Sequence, residues 1–110
     1  HTDAIDRHLI PPHMPNKEKW QFFTSEADIL NMALFGKPAK QWRAENPNSE
    51  GNIRDYANQE QLLVMANLEV LNSQFVKEKL SKKERLHKLN EAAIEQMTAL
   101  LKNSSIKKLP

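Results

Sequence analysis

Glu84 and His87 stand in a Glu-x-x-His spacing, which puts a carboxylate and an imidazole on one face of a helix. Carboxylate-bridged di-metal bundles need that pair twice, on facing helices. No second copy occurs in this chain. Glu84 also follows Ser81 at the spacing of a capping box, so we read it as a cap and expect no metal. His1, His8 and His13 are irregularly spaced in a segment broken by Pro11, Pro12 and Pro15, which promises no fixed coordination geometry. With only Gly36 and Gly51 there is no glycine-rich phosphate loop. None of the serines sits in a nucleophile elbow or beside a readable base. Cysteine is absent, which removes thiolate chemistry and disulfides. We expect no catalytic residue, no cofactor and no enzyme.

Two other polar groups could form a contact surface. Lys37, Lys40, Gln41 and Arg43 follow an apolar helical run and a glycine, so residues 26–45 trace a helix-turn-helix outline. The cations suit phosphates or a protein partner, and Gln41 has the donor–acceptor pair that reads adenine. Against DNA contact, the second helix has barely two turns, Glu45 repels phosphate, and Trp42 fits a core anchor better. The second group is Asn52, Arg54, Asp55 and Tyr56. Its expected role is structural: Arg54 buried and bridging carbonyls or a carboxylate, Asp55 accepting backbone amides, Tyr56 packing its ring. A catalytic use would require this loop to line a pocket beside Trp42 and Glu26.

The elements that must carry these groups are helical throughout. An all-α bundle of about five helices is predicted, with a long antiparallel hairpin at its C-terminal end. Residues 1–15 read as a proline-rich arm with a short helix over Asp3 to Leu9, residues 16–103 as the helical domain, and residues 104–110 as a disordered tail. Asn16 caps a helix through Phe23. Thr24 or Ser25 opens the next, which Gly36 ends in a left-handed cap. Pro38 starts a short helix closed by Asn46 and Pro47. Asn58 with Gln61 opens the longest apolar run, where Val64, Leu68, Leu71 and Phe75 form the cleanest seam. Only Asn67 and Glu69 are polar between Leu62 and Leu71, so this helix is expected to be the inner pillar of the bundle. Ser81 opens the last helix, with Leu86, Leu89, Ala93, Met97 and Leu100 on one face. Asn31, Asn67, Asn72 and Asn90 are candidates for interhelical hydrogen bonds.

The 110 residues suffice for one domain with a real core. Net charge is +2, too small to announce a nucleic-acid binder. Its distribution is uneven: from Lys77 onward nine Lys and Arg face four Glu, a net +5, and the rest of the chain is −3. Glu84, Glu91 and Glu95 interrupt the basic run, which fits a solvated helix face. No leader or membrane span is readable, and the opening at His1 fits a fragment of something longer.

The block ALFGKPAKQWRAENPNSEGNIRDYAN, with the HTDAI opening and SKKERLHKLNEAAIEQMTALL, resembles the C-terminal region of bacterial and phage KilA-N domain-containing proteins. Pro38 departs mildly, standing where small or hydroxyl residues are associated with the family. The KilA-N domain, the DNA-binding part, lies outside this chain. The resemblance implies a bacterial cytoplasmic setting and a mobile-element origin, and it brings no catalytic residue for this region. The expected function is thus a helical accessory or self-association domain whose partner is protein: another copy or the parent protein. Its contacts would be the surface around Lys37, Lys40 and Arg43 or exposed parts of the Met65–Leu71 stretch. Direct nucleic-acid binding through residues 26–45 and the basic last helix is the alternative.

Overall fold

A computed structural model describes residues 10–13 and 25–107. Among them are four α-helices, a single 3-10 turn and no strand: α1 (Glu26–Phe35), α2 (Ala39–Glu45), the 3-10 turn (Ile53–Tyr56), α3 (Gln59–Lys77) and α4 (Lys82–Lys107). The helices expected over 3–9 and 16–23 lie outside the described residues. The last helix runs to Lys107, four residues beyond the boundary set for a disordered tail.

Local chemistry accounts for the helix ends. The Ser25 hydroxyl accepts the Asp28 amide at 3.0 Å, and Gly36 takes φ 80° with its N–H on the Met32 carbonyl. Asn58 and Gln61 exchange side-chain and backbone bonds at 2.7 and 3.0 Å, and Ser81 and Glu84 do the same at 3.2 and 3.3 Å. Pro38 precedes α2 as its cap instead of being its first residue. Asn46 closes α2, its N–H on the Trp42 and Arg43 carbonyls.

The turn after α3 is a Schellman motif. The Lys79 N–H donates to Val76 at 3.0 Å and the Leu80 N–H to Phe75 at 3.1 Å. Lys79 occupies the left-handed position with φ 64°, a conformation that a Cβ disfavours. Lys79→Gly is therefore expected to stabilise the protein by about 0.5–1 kcal/mol, read as a rise in the urea midpoint with no change in slope.

The core joins α1, α3 and α4 through Ile29, Leu34, Val64, Leu68, Leu89 and Met97, all 2 % exposed or less. α1 packs most extensively on α4, and α4 also on α3. The expectation that α3 is the inner pillar is wrong. Leu62 is 47 % exposed, Leu63 51 % and Val70 72 %, so one whole side of α3 meets solvent. The inner helix is α1, where six successive residues, Ile29 to Leu34, are buried. The reason is geometric. Two long helices already bury one stripe each, and the ten-residue helix between them is the one enclosed on every side from Ile29 to Leu34. An apolar face still needs a neighbour to cover it, and among the described residues the helices packed extensively on α3 are α4 and α1.

The described part of the N-terminal arm packs on this body. Pro11 is buried, and the Pro12 carbonyl accepts from Asn90 Nδ2 at 2.9 Å. A Cβ added at Gly36 would lie 3.2 Å from the Pro12 ring, so the glycine allows both the cap and this approach.

Candidate functional site

The residues singled out for a contact surface gather at the corner between α2 and the 3-10 turn. Three of the four candidates on the first element are engaged within the chain. Lys37 Nζ pairs with Glu45 Oε1, and Gln41 Nε2 donates to Glu45 Oε2 at 3.2 Å. These bonds, Lys37 first, hold the Glu45 carboxyl below the usual carboxylate range. Arg43 lies with Cζ 4.9 Å from the Trp42 ring centre and donates to the carbonyls of Asn46, Ser49 and Gly51. Lys40 points to solvent.

Of the two bridges expected of Arg54, the one to loop carbonyls belongs to Arg43, while Arg54 itself meets a carboxylate. Arg54 has a side chain 37 % exposed and reaches Glu69 at 3.4 Å, so its expected burial does not occur. Both arginines flank the same loop, and sequence order does not reveal which one faces its carbonyls. Arg43→Ala is expected to release residues 46–51 and cost about 1–2 kcal/mol, because three acceptors lose a charged donor. Arg43→Lys should recover little, since an ammonium lacks the planar fork. Trp42 fluorescence and thermal melting read both.

The second cluster closes on itself. Asp55 Oδ2 accepts the Asn52 N–H at 2.7 Å, and Asn52 Oδ1 accepts the Arg54 N–H at 2.9 Å. The Tyr56 hydroxyl donates to the Glu50 carbonyl at 2.7 Å, and its ring lies 5.3 Å from that of Trp42 at 39°. Gly51, with φ 79°, brings the chain so near Asp55 that a Cβ there would overlap the carboxylate. Together Phe35, Lys37, Trp42, Glu45, Asn46, Ile53 and Tyr56 line a half-open cleft of about 450 Å³. Chemically it offers an apolar, aromatic seat beside a neutralised ion pair, with no nucleophile adjoining a base.

Glu26 does not approach this cleft. It joins a clasp across three helices that sequence reading missed. Arg85 on α4 donates to both Glu26 carboxylate oxygens and, at 2.8 Å, to Asn72 Oδ1 on α3. Asn72 Nδ2 closes the triangle to Glu26 at 2.9 Å. Arg85 is 5 % exposed and Asn72 7 %. The Arg85 bond, followed by that of Asn72, holds the Glu26 carboxyl down to about 2. A signal was present: Arg85 precedes Leu89 by four residues, which places an arginine on an apolar stripe. No family model, curated protein or solved structure matches this chain. The clasp and the cleft therefore stand on their geometry alone.

The asparagines divide. Asn72 serves the clasp, Asn90 donates to Pro12 and, at 3.1 Å, to Ala33, and Asn67 donates to Gln96 at 2.9 Å. Asn31 is buried with Oδ1 lacking a hydrogen-bond partner. Glu84 caps α4, as proposed for it. His87 Nε2 lies 2.6 Å from Glu91, one turn away. Among the described residues no group of three or more His, Cys, Asp or Glu gathers as a metal site would require, and no helix is long and apolar enough to cross a membrane.

Proposed function

We propose that this chain is a helical interaction module, an accessory domain of a KilA-N-type DNA-binding protein of bacterial cytoplasm, and that its working surface is the outward side of α3. The observation that carries this reading is the uncovered apolar side of a well-capped helix. Leu62, Leu63, Val70 and Val76 are between 47 and 72 % exposed. A row of exposed apolar side chains of this kind marks a place where another surface docks. The likeness of residues 33–58 and 81–101 to regions that follow KilA-N domains supports the parentage.

We also infer that α3 and α4 form an antiparallel hairpin. Asn72 meets Arg85 and Asn67 meets Gln96, so positions descend along one helix as they rise along the other. The Schellman turn at Lys79 brings the chain back. Such a hairpin makes a stiff frame that presents the outer side of α3.

Direct nucleic-acid binding is the competing reading, and the engagement of Lys37, Gln41 and Arg43 inside the chain weighs against it. The test is DNA titration of this chain at several salt concentrations, with its mass in solution recorded alongside. We expect no steep fall of affinity with salt, because Lys37, Gln41 and Arg43 are already held by partners within the chain. A slope matching several neutralised phosphates would give the surface to DNA instead.

A further inference from the structure

The inference drawn here rests on reading α3 as a contact surface and names its occupant. Along the outward ridge the side chains fall at Leu63, Ala66, Val70 and Ser73, at spacings of three, four and three. Gln59 precedes and Lys77 follows by four. This is the 3.5-residue repeat that seats one helix against another. All four ridge residues are exposed, and none is charged.

Two features select the second helix. The first is size: large and small side chains alternate along the ridge. Laid against itself in the opposite direction, Leu63 faces Ser73 and Val70 faces Ala66. Each large group then meets a small one, so the backbones approach and the side chains interdigitate. Laid in the same direction, Leu63 would oppose Leu63 and Ser73 would oppose Ser73, leaving the far end loosely filled.

The second is charge. Glu60 flanks the ridge near its start and Lys77 ends it, and neither is ion-paired among the described residues. Antiparallel pairing brings Glu60 of each copy beside Lys77 of its twin, twice by symmetry. Parallel pairing sets like charge on like. The helix dipoles also oppose favourably in the antiparallel case.

We propose that a second copy of this chain covers α3, with the two α3 helices antiparallel about a twofold axis that passes between Ala66 and Val70. Such an interface is self-complementary, as twofold symmetry requires.

The test is sedimentation of the full chain over a range of concentrations, alone and with duplex DNA at low and moderate salt. Three variants are run beside it: Val70→Glu, Glu60→Lys, and Glu60→Lys with Lys77→Glu. Circular dichroism checks that each is folded; Val70 and Lys77 are exposed and Glu60 is half-buried. The unsubstituted chain is expected to be a dimer. Val70→Glu should weaken it at least about 100-fold, since two carboxylates would enter the interface. Glu60→Lys should weaken it about 5-fold, and the charge-exchanged double variant should return it to the starting affinity.

A dimer insensitive to Val70→Glu, or one that the double variant fails to restore, would overturn the antiparallel α3 pairing while leaving the chain an association module. A monomer without salt-dependent DNA binding would overturn the second copy and leave α3 for a different protein. A monomer that binds DNA with a steep salt slope would overturn both this inference and the reading beneath it.

Discussion

Glu26→Ala is expected to destabilise the fold by about 3 kcal/mol, more than Arg85→Met, which should cost about 1–2. The asymmetry comes from burial. The Arg85 side chain is 6 % exposed and that of Glu26 52 %. Deleting the glutamate strands a guanidinium that water cannot reach, whose Nε already lacks a hydrogen-bond partner. Deleting the arginine lets the Glu26 carboxylate hydrate where it stands, and a methionine refills the space of the aliphatic stem. Equilibrium urea unfolding of the two variants measures the difference. Equal costs, or a greater cost for Arg85→Met, would show that the clasp is not limited by the buried cation.

The same pair sets an acid response. Glu26 is ionised in the folded chain down to about pH 2, whereas in the unfolded chain it takes a proton near its ordinary 4.5. Its contribution is therefore complete above pH 4.5 and is lost as the pH falls toward 2. Unfolding measured at pH 6 and pH 3 should lose more stability in the natural chain than in Glu26→Gln. Because half of the Glu26 side chain meets solvent, salt should reduce this difference.

Leu34→Ala is expected to cost about 3 kcal/mol, and Leu63→Ala less than about 1. Leu34 is fully enclosed on α1, while Leu63 is half exposed on the outward ridge of α3. Thermal unfolding at low protein concentration separates the cavity term of the first from the small surface effect of the second. Were α3 the central helix, the order would invert. If α3 pairs with a second copy, Leu63→Ala should matter more as concentration rises, since dimerisation adds stability by mass action.

Much of the secondary structure was legible in the residue order because it is written in short-range chemistry. The exchanges of Asn58 with Gln61 and Ser81 with Glu84, the left-handed glycine at 36 and the stop at Asn46 each depend on residues within one turn. The seam of Val64, Leu68, Leu71 and Phe75 was readable for the same reason: helical period alone fixes which side chains share a face. The polar loop from Asn52 to Tyr56 could be identified as a unit, although the duty of its carbonyls fell to Arg43.

What only the tertiary structure decided is which apolar faces have a neighbour. The long apolar run from Leu62 to Leu71 made α3 look central, yet enclosure depends on how many helices surround an axis, and the short α1, apolar at seven of its ten positions, holds the middle. The clasp of Glu26, Asn72 and Arg85 joins residues as many as 59 positions apart, a distance over which periodicity carries no information. Capping and amphipathic spacing are properties of a few adjacent residues. Burial, and the pairing of a charge that burial makes necessary, belong to the packed whole.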